Sequence, residues 1–126
     1  MMLFTGDLVN NAADEVEPYV EDLKKLHAPD GIFSVWGNHD YCEYNTNHSL
    51  SALRKNRRLL FQLQNEMGWH QLMNEHFTVS HGMASIEIIG VENAGQPPFT
   101  NRSNLKKAMK GVAKDAFKIV LTHDPH

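Results

Sequence analysis

The stretch IFSVWGNHD, residues 32–40, decides the fold of this chain. Its first half is apolar and predicts a buried strand. Gly37 then permits a sharp turn, and Asn38 offers a carbonyl oxygen that can bind a cation. His39 and Asp40 can form an imidazole–carboxylate pair. Because ligands bind at the carboxyl ends of strands in α/β proteins, these four residues are a candidate functional site.

A similar unit lies upstream, where apolar residues 1–4 predict a strand that ends in Thr5, Gly6 and Asp7. Asp7 alone could be a turn or helix-capping aspartate. A helix should follow, with Pro18 in its first turn and an apolar face made of Tyr19, Val20, Leu23 and Leu26. Strand, helix and strand 32–36 together predict a βαβ unit with parallel strands.

Downstream, Ser49 or Ser51 can cap a long amphipathic helix that runs to about Met67. Residues 69–74 predict a short strand. Residues 76–80 and 85–91 predict two adjacent strands joined by a turn at 81–84, in which His81 is an exposed turn residue rather than a ligand.

The last quarter of the sequence contains a loop over residues 92–101, then a short helix that Ser103 can cap. Residues 117–121 are apolar and predict a final buried strand, which leads directly into Thr122 and His123.

Length and composition limit the possible number of domains and the possible classes of function. The chain has 126 residues, a formal net charge of −3 and one cysteine. This length predicts one domain, residues 1–126, and the charge argues against non-specific nucleic-acid binding. One cysteine excludes an internal disulfide, and no apolar run approaches the ~18 residues of a membrane span.

Three predicted strands are each followed by a metal-ligand type: Asp7, then Asn38 with His39 and Asp40, then His123. If these strand ends lie along one edge of a sheet, a carboxylate, an amide oxygen and an imidazole can converge on one cation. Such a mixture of oxygen and nitrogen donors suits manganese, iron or zinc.

The motifs TGDLVN at 5–10, GNHD at 37–40 and LTHDP at 121–125 resemble those of the calcineurin-like metallophosphoesterases. The segment GVEN at 90–93 is similar to a segment that occurs in the bacterial phosphohydrolase branch of this family. The resemblance implies an α/β fold, a mixed β-sheet sandwich flanked by helices. It also implies hydrolysis of phosphomonoesters or phosphodiesters by a water that two divalent metals activate, with manganese, iron, zinc or magnesium as the metal.

The resemblance also implies individual roles. Asp7 would bridge two metals, and Asn38 and His123 would bind the second metal. His39 would contact the phosphate and protonate the leaving oxygen, with Asp40 orienting it. Asn10 has no assigned role, and His126 matches no ligand of the family.

The sequence departs from the family at both ends, because an Asp-x-His motif before residue 1 and a Gly-His-x-His motif after residue 126 are not in it. We therefore expect a partial domain, truncated at both ends, with at most one partial metal site and little hydrolysis by this chain alone. Two alternatives remain: a non-catalytic binding or assembly module, and a mononuclear metal protein that uses Asp7, Asn38 and His123.

The expected partner is a phosphorylated small molecule, a nucleotide or a lipid-linked substrate, and the sequence does not choose among them. Exposed strand edges at a truncated sheet would favour a homodimer. We expect a soluble, cytoplasmic-like chain, although members of this branch often follow membrane segments, so the parent protein could be attached to a membrane.

Overall fold

The computed structural model describes residues 1–44, 49–97 and 99–125. It has six strands, β1 (Met2–Phe4), β2 (Ile32–Ser34), β3 (His70–Gln71), β4 (Glu75–His81), β5 (Ala84–Gly90) and β6 (Phe117–Leu121). Its α-helices are α1 (Val20–Leu23), α2 (Leu50–Glu66) and α3 (Leu105–Ala108), and there are 3₁₀ turns at Ala13–Glu15, Glu17–Tyr19 and His39–Tyr41. His126, which matches no family ligand, and parts of the two predicted loops, 45–48 and Pro98, lie outside the described residues.

The strands form two three-stranded sheets, which confirms the predicted α/β sandwich. In the first sheet, β2 lies between β1 and β3 and is parallel to both. In the second sheet, β5 pairs with β4 in an antiparallel hairpin and with β6 in parallel. The parallel pairing of β1 and β2 confirms the interpretation of residues 1–36 as two parallel strands with a crossover.

Alternating side chains of the strand segments place each sheet between two apolar layers. Ile32 and Trp36 pack in the layer that contains α2, whereas Phe33 and Val35 pack in the layer between the sheets. Two consecutive residues of β5 also face opposite layers. Ile88 faces the layer between the sheets, and Ile89 packs against Ala108 of α3. The core therefore runs through the whole sandwich.

Helix α2 covers the first sheet, and its bounds agree with the sequence. The Ser49 hydroxyl accepts a hydrogen bond from the Ala52 amide at 3.2 Å, so Ser49 is the cap, and Gly68 follows the helix at φ +79°. Gln64 is buried and accepts a hydrogen bond from the Ser34 hydroxyl at 2.8 Å. This polar contact fixes the helix on the sheet.

The helix predicted after β1 is wrong in extent. The chain instead forms two 3₁₀ turns and the four-residue helix α1. Pro18 lacks an amide hydrogen and lies within the second 3₁₀ turn. Of the predicted apolar face, Tyr19 and Leu26 are exposed, and only Val20 and Leu23 pack into the core. Half of the proposed face therefore has nothing to pack against.

Two smaller predictions also need correction. Asn104, not Ser103, caps α3, because its side-chain oxygen accepts a hydrogen bond from the Lys107 amide at 2.8 Å, while the Ser103 hydroxyl bonds to Asn101. The hairpin turn is also tighter than predicted, because β4 continues through His81 and β5 begins at Ala84. None of the helices in the described residues is long and apolar enough to cross a membrane.

Candidate active site

The structure brings Asp7, Asn38 and His123 together at the carboxyl ends of β1, β2 and β6. His123 Nε2 lies 3.0 Å from Asn38 Oδ1 and 3.4 Å from Asp7 Oδ2. The three strand ends do not lie along one edge, as the sequence suggested, because β6 belongs to the second sheet. They converge because both sheets of the sandwich end on the same side.

Backbone contacts fix the orientation of the His123 ring. Its Nδ1 lies 2.8 Å from the carbonyl oxygen of Thr5, which can only accept a hydrogen bond. To bind a cation through Nε2, His123 would carry its proton on Nδ1, where the Thr5 carbonyl accepts it. The lone pair on Nε2 then points toward Asp7 Oδ2 and Asn38 Oδ1, an arrangement that is typical of histidine held ready for a cation.

These three donors fit one divalent cation. Two ligand atoms at about 2.1 Å from an ion, and at right angles to one another, are about 3.0 Å apart, close to the distances between these donors. A carboxylate oxygen, an amide oxygen and an imidazole nitrogen are ligand types that manganese, iron and zinc accept. Across residues 1–44, 49–97 and 99–125, no three His, Cys, Asp or Glu side chains form a metal-binding group, so the amide of Asn38 is essential to this fit.

Glycine at two positions allows the loops after β1 and β2 to touch. A Cβ on Gly6 would lie 2.3 Å from the amide nitrogen of Gly37, and one on Gly37 would lie 2.2 Å from Asp7 Oδ1 and 2.7 Å from His123 Nδ1. Gly6 also has a φ of +98°, and Asp7 follows it at φ +60°. No larger side chain fits between the predicted ligands.

Asp40 joins the two loops rather than orienting His39, as the resemblance implied. Its carboxylate is fully buried and accepts hydrogen bonds from the amides of Gly37, Asp7 and Leu8 at 2.7–2.9 Å, and from Val9 at 3.3 Å. Burial raises the pKa of Asp40, and the amide donors oppose that rise. Both oxygens are engaged by the backbone, so the expected imidazole–carboxylate contact does not form.

His39 is oriented by the first loop and by an aromatic ring. Its Nδ1 lies 2.6 Å from the carbonyl oxygen of Asn10, and its amide donates to Asp7 Oδ1 at 3.1 Å. The imidazole stacks on Tyr44, with ring centroids 4.3 Å apart and planes 16° from parallel. Asn10 thus contacts His39 through its backbone carbonyl, and this contact cannot be predicted from the residue type.

Glu15 holds the segment that carries Asn10. Its carboxylate accepts hydrogen bonds from the amides of Asn10, Asn11 and Ala12 at 2.7–2.9 Å. Burial alone would raise the pKa of Glu15, but these donors lower it below its usual range. The carboxylate therefore stays charged and keeps the carbonyl of Asn10 facing His39.

The residues that follow the GNHD motif are tied to the segment GVEN at 90–93. The Tyr41 hydroxyl donates to Glu92 at 2.8 Å, and the guanidinium of Arg102 lies 4.2 Å from the centre of the Tyr41 ring. Burial raises the pKa of Tyr41 well above its usual range and that of the Cys42 thiol to about 11. Both groups are therefore neutral at physiological pH and act in packing.

A cavity of about 750 Å³ opens beside Asp7 and His39. This volume lies within the range of small-molecule sites. Its wall combines apolar and acidic side chains from the segment after β1, which include Leu8, Val16, Tyr19 and Leu23 together with Glu15 and Asp22. The cavity gives a small molecule access to two of the predicted site residues.

Comparisons with known proteins identify similar sequences. A sequence model of the calcineurin-like phosphoesterases matches residues 1–126. The uncharacterised metallophosphoesterase YkoQ of Bacillus subtilis (strain 168) is 28% identical over 128 residues, which cover 100% of this chain and 42% of that protein. The uncharacterised metallophosphoesterase YkuE of the same organism is 27% identical over 130 residues, which cover 99% of this chain and 40% of that protein.

The chain thus spans about two fifths of the length of these relatives. No solved structure matches it. Because the family model covers every residue, the chain belongs to the calcineurin-like phosphoesterase family.

Proposed function

We propose that this chain carries part of the active site of a hydrolase that cleaves phosphomonoesters or phosphodiesters with divalent metal ions. The observation that supports it is the convergence of Asp7, Asn38 and His123 from two sheets, with His39 and a cavity beside them. The family gives the reaction class, and the geometry of these residues suits it.

Asp7, Asn38 and His123 would hold one ion. Divalent ions at such a site supply positive charge to a phosphate group and lower the pKa of the water that attacks phosphorus. Asp7 would be the shared ligand of a second ion, and residues 1–44, 49–97 and 99–125 contain no group of three His, Cys, Asp or Glu side chains that could hold that ion by themselves.

His39 would act on the substrate. The carbonyl of Asn10 accepts a hydrogen bond from Nδ1, so Nε2 would donate to a phosphate oxygen, or give a proton to the leaving oxygen, when both ring nitrogens carry a proton. Because His39 and Asp7 both line the cavity, a phosphoester bound there would be within reach of the imidazole and of one predicted metal ligand.

We further propose that the 126-residue chain alone hydrolyses phosphoesters poorly. A two-ion mechanism needs a complete ligand set for each ion, and Asp7, Asn38 and His123 would supply three donors for one ion.

The test is an assay of the chain on an aryl phosphodiester and an aryl phosphomonoester with Mn²⁺, together with Asn38→Ala and His39→Ala. We expect slow turnover that both variants abolish, and Mn²⁺ binding that Asn38→Ala weakens and His39→Ala leaves within about twofold. Absence of both turnover and Mn²⁺ binding would favour a non-catalytic module. Turnover at the rate of a full-length family enzyme would overturn the proposed crippling.

A second candidate is a mononuclear metal protein, because the donor distances at Asp7, Asn38 and His123 describe one compact site. The number of Mn²⁺ ions bound per chain, measured by calorimetric titration, separates the two. One ion without hydrolysis favours the mononuclear protein, whereas one ion with slow hydrolysis, or two ions, favours the enzyme.

A further inference from the structure

Tyr44 contacts two of the predicted site residues at once, although no motif marks it. It lies four residues after Asp40, beyond the 3₁₀ turn His39–Tyr41, and its side chain is partly exposed. One contact uses its hydroxyl and the other uses the face of its ring.

The hydroxyl contact involves Asn38. The side-chain Nδ2 of Asn38 donates a hydrogen bond to the Tyr44 hydroxyl, while Oδ1 of the same amide faces His123 Nε2. An amide has its donor and its acceptor on opposite sides, so holding Nδ2 fixes the direction of Oδ1. The hydroxyl therefore holds the amide plane of Asn38 in the orientation in which Oδ1 faces the cation site.

The ring contact involves His39, whose imidazole lies 4.3 Å from the Tyr44 ring and nearly parallel to it. The Asn10 carbonyl fixes one edge of the imidazole, and Tyr44 covers one face. Together they allow the ring little freedom to rotate about its side-chain bonds. Phe99 lies on Tyr44 in turn, with ring centroids 5.3 Å apart, and supports it.

We propose that Tyr44 is a positioning residue that aligns the metal-ligand oxygen of Asn38 through its hydroxyl and the imidazole of His39 through its ring. The functional importance of these two alignments rests on the proposed function. Its structural content, that one side chain sets the orientation of two others, is testable without turnover.

Two variants separate the contacts, because Tyr44→Phe removes only the hydroxyl and Tyr44→Leu removes the ring as well. Thr78→Val is the matched control, since it removes a hydroxyl that bonds to Glu87 on the exposed hairpin. Each variant is compared with the parent chain by Mn²⁺ titration and by NMR of the Asn38 side-chain amide and the His39 ring protons, and thermal unfolding confirms folding.

Loss of an outer contact to a metal ligand typically costs 10–100-fold in affinity. We expect Tyr44→Phe to weaken Mn²⁺ binding by about 10-fold and to shift the Asn38 amide signals, while the His39 ring protons keep the shielding that a stacked ring causes. In Tyr44→Leu that shielding is lost as well. Thr78→Val should match the parent in all three measurements.

The proposal is overturned if Tyr44→Phe binds Mn²⁺ within twofold of the parent, or if the Asn38 amide signals stay unchanged. It is also overturned if the His39 shielding survives in Tyr44→Leu. If the parent itself binds no Mn²⁺, the proposed metal site fails. The NMR signals of Asn38 and His39 then decide on their own whether Tyr44 orients them.

Discussion

The two ends of the sandwich each carry a histidine and an aspartate, in opposite settings. At the carboxyl ends of β1 and β2, the carboxylate of Asp40 is buried and bonded to backbone amides. At the amino ends of the same strands, Asp30 is partly exposed and contacts His81 at 2.5 Å and the terminal amine of Met1 at 3.3 Å.

The difference lies in what each carboxylate organises. Asp40 accepts from amides in two loops, so it determines the path of the backbone that carries the predicted ligands. Asp30 accepts from the exposed His81 side chain and from the terminal amine of Met1, which lower its pKa, with the hydrogen bond from His81 as the larger cause. A histidine near an aspartate therefore does not by itself identify a candidate functional site. A carboxylate that is buried against backbone amide donors is the more informative feature.

The largest expected effect is at Asp40. Asp40→Ala leaves the amides of Gly37, Asp7 and Leu8 without their acceptor, and each buried unpaired amide costs about 1–3 kcal/mol. We expect a loss of at least about 3 kcal/mol in the free energy of unfolding, measured by urea denaturation. Asp30→Ala is the control and should unfold close to the parent; equal losses in both variants would contradict the comparison.

A second effect tests the close approach of the two loops. Gly6→Ala places a methyl group against the backbone of Gly37, whereas Gly111, at the similar φ of +95°, has open space around its Cα. In both variants the left-handed backbone lowers the free energy of unfolding by about 1–2 kcal/mol. We expect Gly6→Ala to lose at least about 2 kcal/mol more than Gly111→Ala in urea denaturation, because its clash adds to that strain. Equal losses would show that the loops can separate at no cost.

A third effect is the stabilisation that a bound ion provides. Mn²⁺ at 100 times its dissociation constant should stabilise the parent chain by about 2.7 kcal/mol and raise its melting temperature. His123→Ala and Asn38→Ala should lose most of this increase, because each removes one of the three donors. His81→Ala is the matched control at the opposite end and should retain it. A full increase in His123→Ala would place the ion elsewhere.

The smallest expected effect on stability is at the exposed pair of Asp30 and His81. Because the pKa of Asp30 is lowered in the folded chain, its contacts stabilise the protein above the ordinary carboxyl value of 3.8, and this contribution disappears as the pH falls through the lowered value. Asp30→Asn should melt slightly below the parent at pH 6, and the gap should close as the pH falls below that value. A gap that widens in acid would contradict this sign.

The sequence predicted those parts of the fold that depend on local chemistry. An apolar run followed by glycine marks the ends of β1 and β2, and Ser49 marks the start of α2. Asp7, Asn38 and His123 were also predicted to converge, and the structure places them together. Their roles in metal binding and catalysis remain predictions.

What the sequence could not predict depends on contacts between distant segments. The placement of β6 in the second sheet follows from packing between the sheets, so His123 reaches Asp7 across layers. The partners of Asp40 are backbone amides, which carry no residue signature. Tyr44 contributes by its position after a turn, and no pattern links it to Asn38 or His39.

The arrangement of His123 on one layer and of Asp7 and Asn38 on the other has a mechanical consequence. An ion bound by all three would act as a further cross-link between sheets that share an apolar core and the contact of His123 with Thr5. Chelation should then release the layers from one another before either sheet melts. Hydrogen exchange would detect this as faster exchange at Leu121 and its neighbours in β6, so the occupancy of the site would regulate how cooperatively the sandwich opens.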